Sequence, residues 1–157
     1  MKLYGLQMTQ NLTDFLTAQA NKKYATQNGT TVHQLLRKVV FDKDTIIGDK
    51  NIITQIQNHP EIQPFFVSTA RTEVAIAGYI NGIFVSRRID RLLINHKTKT
   101  IDFIDYKTDI NKTEFIDKYK KQLFEYAQLL QSAYPGYKIT GYILWIHDWQ
   151  LNKTVAL

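Results

Sequence analysis

Cysteine is missing from all 157 residues, which excludes disulfide frameworks, thiolate catalysis, Cys-ligated zinc and iron–sulfur clusters. No apolar run approaches the roughly 20 residues needed to cross a bilayer, so no membrane contact is expected. The first residues, Met1-Lys2-Leu3-Tyr4-Gly5-Leu6-Gln7-Met8, lack a sustained apolar core and a small-residue cleavage site, and a cytoplasmic location is the resulting expectation. The phosphate-binding pattern G-x-x-x-x-G-K-[ST] is absent, so neither an ATP site nor an ATP-driven motor is expected. Internal repeats and low-complexity tracts are absent too.

What remains is an ordinary globular composition, 44% hydrophobic and 22% charged, in a chain long enough to bury one core without staples. The formal charge of +6 favours anionic partners, nucleic acid first among them. Residues 1–28 are polar and rich in Gln, Asn and Thr, and read as a peripheral segment or tether. Residues 29–157 read as one domain.

Hydrophobic spacing predicts the elements of that domain. Val32, Leu35, Leu36, Val39 and Val40 share one helical stripe, with Arg37 and Lys38 opposite, His33 at the border, and Thr30 or Thr31 as the cap. A short helix is expected over residues 50–58, ending before His59-Pro60. Residues 65–77 read as one extended run, Asn81-Gly82 as a two-residue hairpin turn, and 83–94 and 100–108 as strands. A long helix follows over 113–133, whose buried stripe includes Tyr119, Leu123, Tyr126 and Leu130. Tyr134-Pro135-Gly136 ends it, residues 138–146 form a last core strand, and 149–157 an edge strand. The fold class is α/β (α+β), a mixed sheet with an antiparallel three-strand meander flanked by helices, in the order α-β-β-β-α-β.

The strand Ile101-Asp102-Phe103-Ile104-Asp105-Tyr106-Lys107-Thr108 carries the chemistry. Alternation places Ile101, Phe103, Asp105 and Lys107 on one face, so a carboxylate and an ammonium leave the core together. An Asp there can hold a divalent metal, and a Lys beside it can orient or deprotonate a water, the minimum for phosphodiester hydrolysis. Asp90, in Arg88-Ile89-Asp90-Arg91-Leu92, lies on the preceding strand, where antiparallel pairing brings it beside Asp105. A strand Asp among apolar residues is costly unless paired or liganded. His33, opening the first helix after Gly29-Thr30-Thr31-Val32, supplies an imidazole suited to Mn²⁺ and tolerable for Mg²⁺. Gln122 and Tyr126, four apart, share a helical face.

The ordered set G-x-x-x-H, I-D-R-L, I-D-Y-K-T and Q-x-x-x-Y resembles the RecB-like branch of the PD-(D/E)xK nuclease superfamily. The likeness is greatest to the C-terminal nuclease domain of AddA-type helicase–nucleases of the alphaproteobacterial kind. It runs from about residue 29 to 157 and includes Thr72-Glu73-Val74, Tyr134-Pro135-Gly136 and Ile143-Leu144-Trp145. The resemblance implies a restriction-endonuclease-like core and an exonuclease or endonuclease acting on DNA in recombination and repair. It implies one or two Mg²⁺ or Mn²⁺ ions held by His33, Asp90, Asp105 and the backbone carbonyl of Tyr106. Lys107 would position the attacking water, with Gln122 and Tyr126 as accessory residues and Glu73 at a position commonly acidic. Serine-arginine-arginine at 86–88 departs from the glycine that family members often carry before Ile-Asp-Arg. The missing cysteines separate the chain from the iron–sulfur branch. Arg87, Arg88, Arg91, Lys112, Lys118, Lys120 and Lys121 are the expected phosphate contacts, giving affinity without sequence preference. A separately encoded helicase or AddB-like subunit is a candidate partner. Two other readings stand beside this one: a non-catalytic, partner-dependent DNA-binding or helicase-docking module, and a restriction-type endonuclease.

Overall fold

The helical and two-residue periodicities of the sequence meet in a five-stranded sheet in the computed structural model, which describes residues 29–157. The expected tether over residues 1–28 lies outside the described residues. Helix α1 covers residues 29–37. A two-stranded ladder, β1 (Val40–Phe41) and β2 (Ile46–Ile47), leads to α2 (Lys50–Asn58) and a 3₁₀ turn (Gln63–Phe66). Then follow β3 (Arg71–Ile80), β4 (Ile83–Asn95), β5 (Thr100–Lys107), α3 (Lys112–Ala133), β6 (Lys138–Trp145) and β7 (Gln150–Ala156). The sheet order is β3-β4-β5-β6-β7, antiparallel throughout except for the parallel β5–β6 pair that α3 connects. The fold is α+β, with the expected meander followed by a helical crossover.

Local chemistry explains the boundaries. The Asp49 carboxylate caps α2, accepting from the N–H groups of Asn51 and Ile52 at 2.9 and 3.2 Å. Asn111 caps α3. Asn81 and Gly82 both take positive φ, 51° and 78°, the requirement of the tight primed turn whose twist matches its strands. Gly136, at φ 81°, follows Pro135 and turns the chain from α3 into β6.

Three expectations fail locally. Residues 65–77 are not one extended run: Pro64 opens the 3₁₀ turn, which buries Phe65 and Phe66, and β3 starts only at Arg71. The first helix is already running at Gly29, so Thr30 and Thr31 lie inside it rather than at its cap. It also stops at residue 37, where 3₁₀-type bonds from Lys38 N–H to Leu35 O and Val39 N–H to Leu36 O tighten the last turn. Val40 therefore belongs to β1, and Leu35 is left 39% exposed.

The centre of the sheet is covered on both faces. Ile101 and Phe103 of β5 meet Leu123, Tyr126 and Leu130 of α3 on one side. Ile104 and Tyr106 meet Leu36, Ile56 and Phe66 on the other. The set facing α3 is apolar until the strand ends, where Asp105 and Lys107 follow Ile101 and Phe103. Gly141 of β6 lets the α3 side close, because an added Cβ would stand 2.3 Å from Phe103 Cζ and 2.6 Å from Val155 Cγ1. Phe103 is fully buried and has nowhere to move. Gly141→Ala is therefore expected to cost roughly 1–3 kcal/mol by overpacking, read as a lower urea midpoint at unchanged slope. A midpoint equal to that of the parent chain would show that the ring yields freely.

Candidate active site

The β4–β5 ladder stops one step short of Asp90 and Asp105. Its last pair at this end is Arg91↔Ile104. The next β5 donor, the Tyr106 N–H, is taken at 2.7 Å by Asp90 Oδ2 instead of by a backbone carbonyl. The two strands part there, and the gap between their ends is where the site residues gather. Lys107 C=O points toward the β6 side, accepting from Ile146 N–H at 2.9 Å. By strand alternation the Tyr106 C=O turns the other way, into the gap.

The β3–β4 ladder is interrupted at the same level. Pairing runs through Thr72↔Arg91 and resumes at Val74↔Ile89; between them Glu73 has φ 53°, the left-handed region that a non-glycine strand residue enters at a cost of about 1–2 kcal/mol. Alternation breaks with it. Ile89 and Leu92, three positions apart, both enter the α3-side cluster. Asp90 and Arg91 both turn toward α1: Asp90 Oδ1 lies 3.5 Å from His33 Nδ1, and Arg91 reaches past it.

Arg91 is 1% exposed. It donates to Leu36 O at 2.7 Å, Val39 O at 2.8 Å, Phe65 O at 3.0 Å and the Tyr106 hydroxyl at 2.8 Å, and its guanidinium lies 4.4 Å from the centre of the Phe66 ring. The expected phosphate contact is therefore corrected: Arg91 is sealed inside, its donors occupied by carbonyls at the end of α1 and in the 3₁₀ turn. It is a clamp that holds α1, and with it His33, against the sheet. Nothing in the sequence separated this role from a surface contact.

Across the gap, Lys107 Nζ stands 2.6 Å from Asp105 Oδ2 and donates to Gln122 Oε1 at 3.1 Å. Gln122 Nε2 in turn donates to the Tyr126 hydroxyl at 2.6 Å, so the two accessory residues form a relay that fixes the lysine. Tyr119 completes the seat, its ring centre 4.1 Å from Lys107 Nζ, while its hydroxyl bonds to Asp109. The sequence had placed Tyr119 only in the core stripe; its spacing of three residues before Gln122 was the available signal that it shares the lysine's face.

Burial is the main cause of the unusual acidity of Asp105. Its carboxyl is pushed up from 3.8 to about 6, with the Asp90 charge adding to the effect and Lys107 opposing it. Its buried Oδ2 has the Lys107 ammonium, 2.6 Å away, as its one partner, which leaves lone-pair capacity that a metal cation at the gap could take up. For His33, burial disfavours the charged ring, but the hydrogen bond and charge of Asp90 and the charge of Asp105 outweigh it and raise its pKa above 6.5. As the side chains stand, no three carboxylate or imidazole groups among the described residues are gathered into a closed metal site. His33 is turned on Asp90, and Asp105 on Lys107. The donor types still suit Mg²⁺ or Mn²⁺: two carboxylates, an imidazole and a carbonyl oxygen facing one gap.

The expected surface cations divide by partner. Arg88 is held by Glu73 at 3.2 Å and lines a cleft of about 390 Å³ with His33, Arg37 and Asp90. Arg87 is held by Glu125 at 2.8 Å and lines a second cleft with Lys107, Lys118 and Lys121. Lys112 is taken up by Asp148 and Gln150, and Lys120 is exposed.

The two kinds of buried charge make different predictions. Arg91→Met should cost on the order of 3 kcal/mol or more in unfolding free energy, because three buried carbonyls lose their donor, and Arg91→Lys should recover only part of it, since an ammonium lacks the fork; full recovery by lysine in urea titrations would remove the clamp. For Asp105 the readout is pH. A carboxyl with a raised folded pKa holds its proton more tightly in the folded chain, so its penalty grows as pH rises from 3.8 through about 6. His33 acts in the same direction, its stabilising contribution being lost as pH rises through its elevated pKa. In EDTA at pH 7.5, Asp105→Asn should therefore be more stable than the parent by roughly 1–3 kcal/mol, with the gap closing near pH 4. A gap independent of pH would contradict this account.

No family model matches the chain, and no curated protein matches it. Among solved structures it is similar to the protein of the "Crystal structure of SSO0001", at 18% identity and a TM-score of 0.40. That match covers 66% of this chain and 48% of the other, so the chain spans about half the length of that protein. A likeness of this size bears on neither fold nor activity.

Proposed function

We propose that the protein is a divalent-metal-dependent DNA nuclease of the PD-(D/E)xK type, RecB-like, its α+β body serving as a restriction-endonuclease-like core. The observation that carries the reading is the convergence on one gap of Asp90, Asp105 and Lys107, with a buried Asp105 carboxylate paired to a lysine that Gln122 and Tyr119 seat. A structural ion pair would not need its lysine held from three sides.

His33, Asp90, Asp105 and the Tyr106 carbonyl are the groups that would hold Mg²⁺ or Mn²⁺. Bound there, such an ion supplies Lewis acidity toward a phosphate oxygen and an acidified water. The chain's own residues do the rest. Asp90 and Asp105 bring negative charge to the gap, and each must first leave its present partner. Lys107, anchored by Gln122 and Tyr119, stands at the gap and would orient the attacking water once Asp105 turns to the ion. Its charge also opposes the build-up of negative charge on the phosphate in the transition state. Arg87, Lys118 and Lys121 flank Lys107 and are placed to contact phosphates on either side of the scissile one. A helicase or AddB-like subunit would supply unwound ends.

Linear single- and double-stranded DNA incubated with Mg²⁺ or Mn²⁺ should be degraded, and Asp105→Ala and Lys107→Ala should each lower kcat/KM by roughly 10²–10⁴-fold. Mn²⁺ should also raise the Tm of the parent chain but not that of Asp105→Asn. Cleavage that survives both alanine variants sinks the assignment. Tight DNA binding without hydrolysis would favour the partner-dependent module, and discrete fragments from plasmid DNA the restriction-type enzyme.

A further inference from the structure

Beyond Asp90 the β3–β4 hairpin leaves the body of the protein, and its two faces differ. Val74 and Ile76 pack into the α3-side cluster, and Gly78 backs onto Leu129, where a Cβ would lie 3.0 Å from Leu129 Cδ2. The opposite face carries Ala75, Ala77 and Tyr79 on β3, paired with Arg88, Ser86 and Phe84 on β4. All six are exposed. At the far end Tyr79 and Phe84 are 73% and 61% exposed, and their rings meet edge-to-face at 5.6 Å. Their contact supports the hairpin as a cross-strand aromatic pair, yet it leaves most of both rings open to solvent. At the near end stands Arg88, which also lines the cleft containing His33 and Asp90. Between them, Ala75, Ala77 and Ser86 make a floor of small side chains.

We infer that this face is a track for the unpaired bases of the strand being cut, with Tyr79 and Phe84 as its distal stacking platform and Arg88 as its phosphate contact beside the site. The inference rests on the nuclease reading and adds the path that an unwound strand takes across the protein. Aromatic platforms joined to a cation are how proteins hold unpaired strands without reading sequence. A duplex hides its base faces within the stack, so exposed rings on this face could stack only on unpaired bases. The reach also fits: Phe84 lies six residue steps along β4 from Asp90, about 20 Å, or about six stacked nucleotides at roughly 3.4 Å each.

The test uses the full chain carrying Tyr79→Ala and Phe84→Ala together, and Tyr79→Trp alone as the aromatic-preserving control. Binding of a fluorescent single-stranded decanucleotide containing 2-aminopurine is measured in EDTA on an Asp105→Asn background, so this arm requires no cleavage. The double variant should bind roughly ten-fold or more weakly and lose the stacking-induced quenching, while Tyr79→Trp keeps both. In the active background, KM should rise with little change in kcat, and the penalty should be confined to single strands of about six nucleotides or longer. Equal binding by the double variant overturns the track, as does a penalty of the same size on duplex or on trinucleotides. A parent chain that sediments as a dimer, with the double variant monomeric, would assign the face to a second copy instead. If the decanucleotide is bound and quenched as expected but never cleaved, the nuclease reading fails while the stacking face stands.

Discussion

Arg91 carries a full charge at 1% exposure and forms no ion pair with a carboxylate among the described residues. Its lost hydration is replaced by dipoles: two carbonyls at the end of α1, one in the 3₁₀ turn, a phenol and an aromatic face. The C-terminal end of a helix is the favourable place for a cation, since the peptide dipoles point their negative ends there. The planar fork fixes directions as well as distances, so it sets where α1 ends and how it lies on the sheet. His33 is one turn before Leu36, whose carbonyl Arg91 holds, and Asp90 is the residue before Arg91. Neighbouring side chains of β4 thus act together on α1. Arg91 anchors the helix, and Asp90 meets the imidazole that the helix delivers.

Asp105 is the opposite kind of buried charge. A buried ion is tolerated structurally when its remaining hydrogen-bonding capacity is used. By that measure Arg91 is satisfied. Asp105 is less so: its buried Oδ2 has only the Lys107 ammonium as partner, and burial, with the Asp90 charge adding to it, weakens its carboxyl acidity. The fold tolerates this because the strand that carries it is buried on both faces for the preceding residues, with Phe103, Ile104 and Tyr106 almost wholly covered. Stability generated along β5 offsets the penalty concentrated at its end. Such a contrast between a satisfied and a less satisfied buried charge marks functional sites better than burial alone.

Most of the body was legible in the sequence because the signals were local and repeated. The 22-residue amphipathic stripe of α3, the Asn-Gly turn and the alternation in β5 each carry their own evidence, and each lies within a residue or two of its expected position. The juxtaposition of Asp105, Lys107 and Gln122 was legible too, since strand parity and helix spacing both point to one face. The failures have a common cause. Pro64 converted an apolar run that looked extended into a 3₁₀ turn, α1 ended early, and Arg91 turned inward, and these outcomes meet at Phe65, Leu36 and Val39, whose carbonyls Arg91 holds. Contacts between residues 26 to 55 positions apart leave no periodic trace.

The break at Glu73 and Asp90 explains how one strand serves both faces. In an unbroken pleat continued from Leu92, Arg91 would still face α1, but Asp90 would follow Leu92 to the α3 side and Ile89 would leave the cluster there. Asp90 would pair regularly with Glu73 and Asp105, placing three carboxylates on adjacent strands at one level and leaving no gap. The left-handed Glu73 and the early end of the β4–β5 ladder remove both conflicts. Asp90 and Arg91 turn together toward α1, and Tyr106 N–H finds a carboxylate in place of a backbone oxygen. The same break divides the sheet. On one side of it both faces are packed and the chain is fixed; on the other, only the α3 face is covered and the hairpin face lies open from Arg88 to Phe84. A strained residue is thus placed where a packed core gives way to an accessible surface, and the candidate site sits on that boundary because only there can a buried carboxylate and a solvent-borne substrate meet.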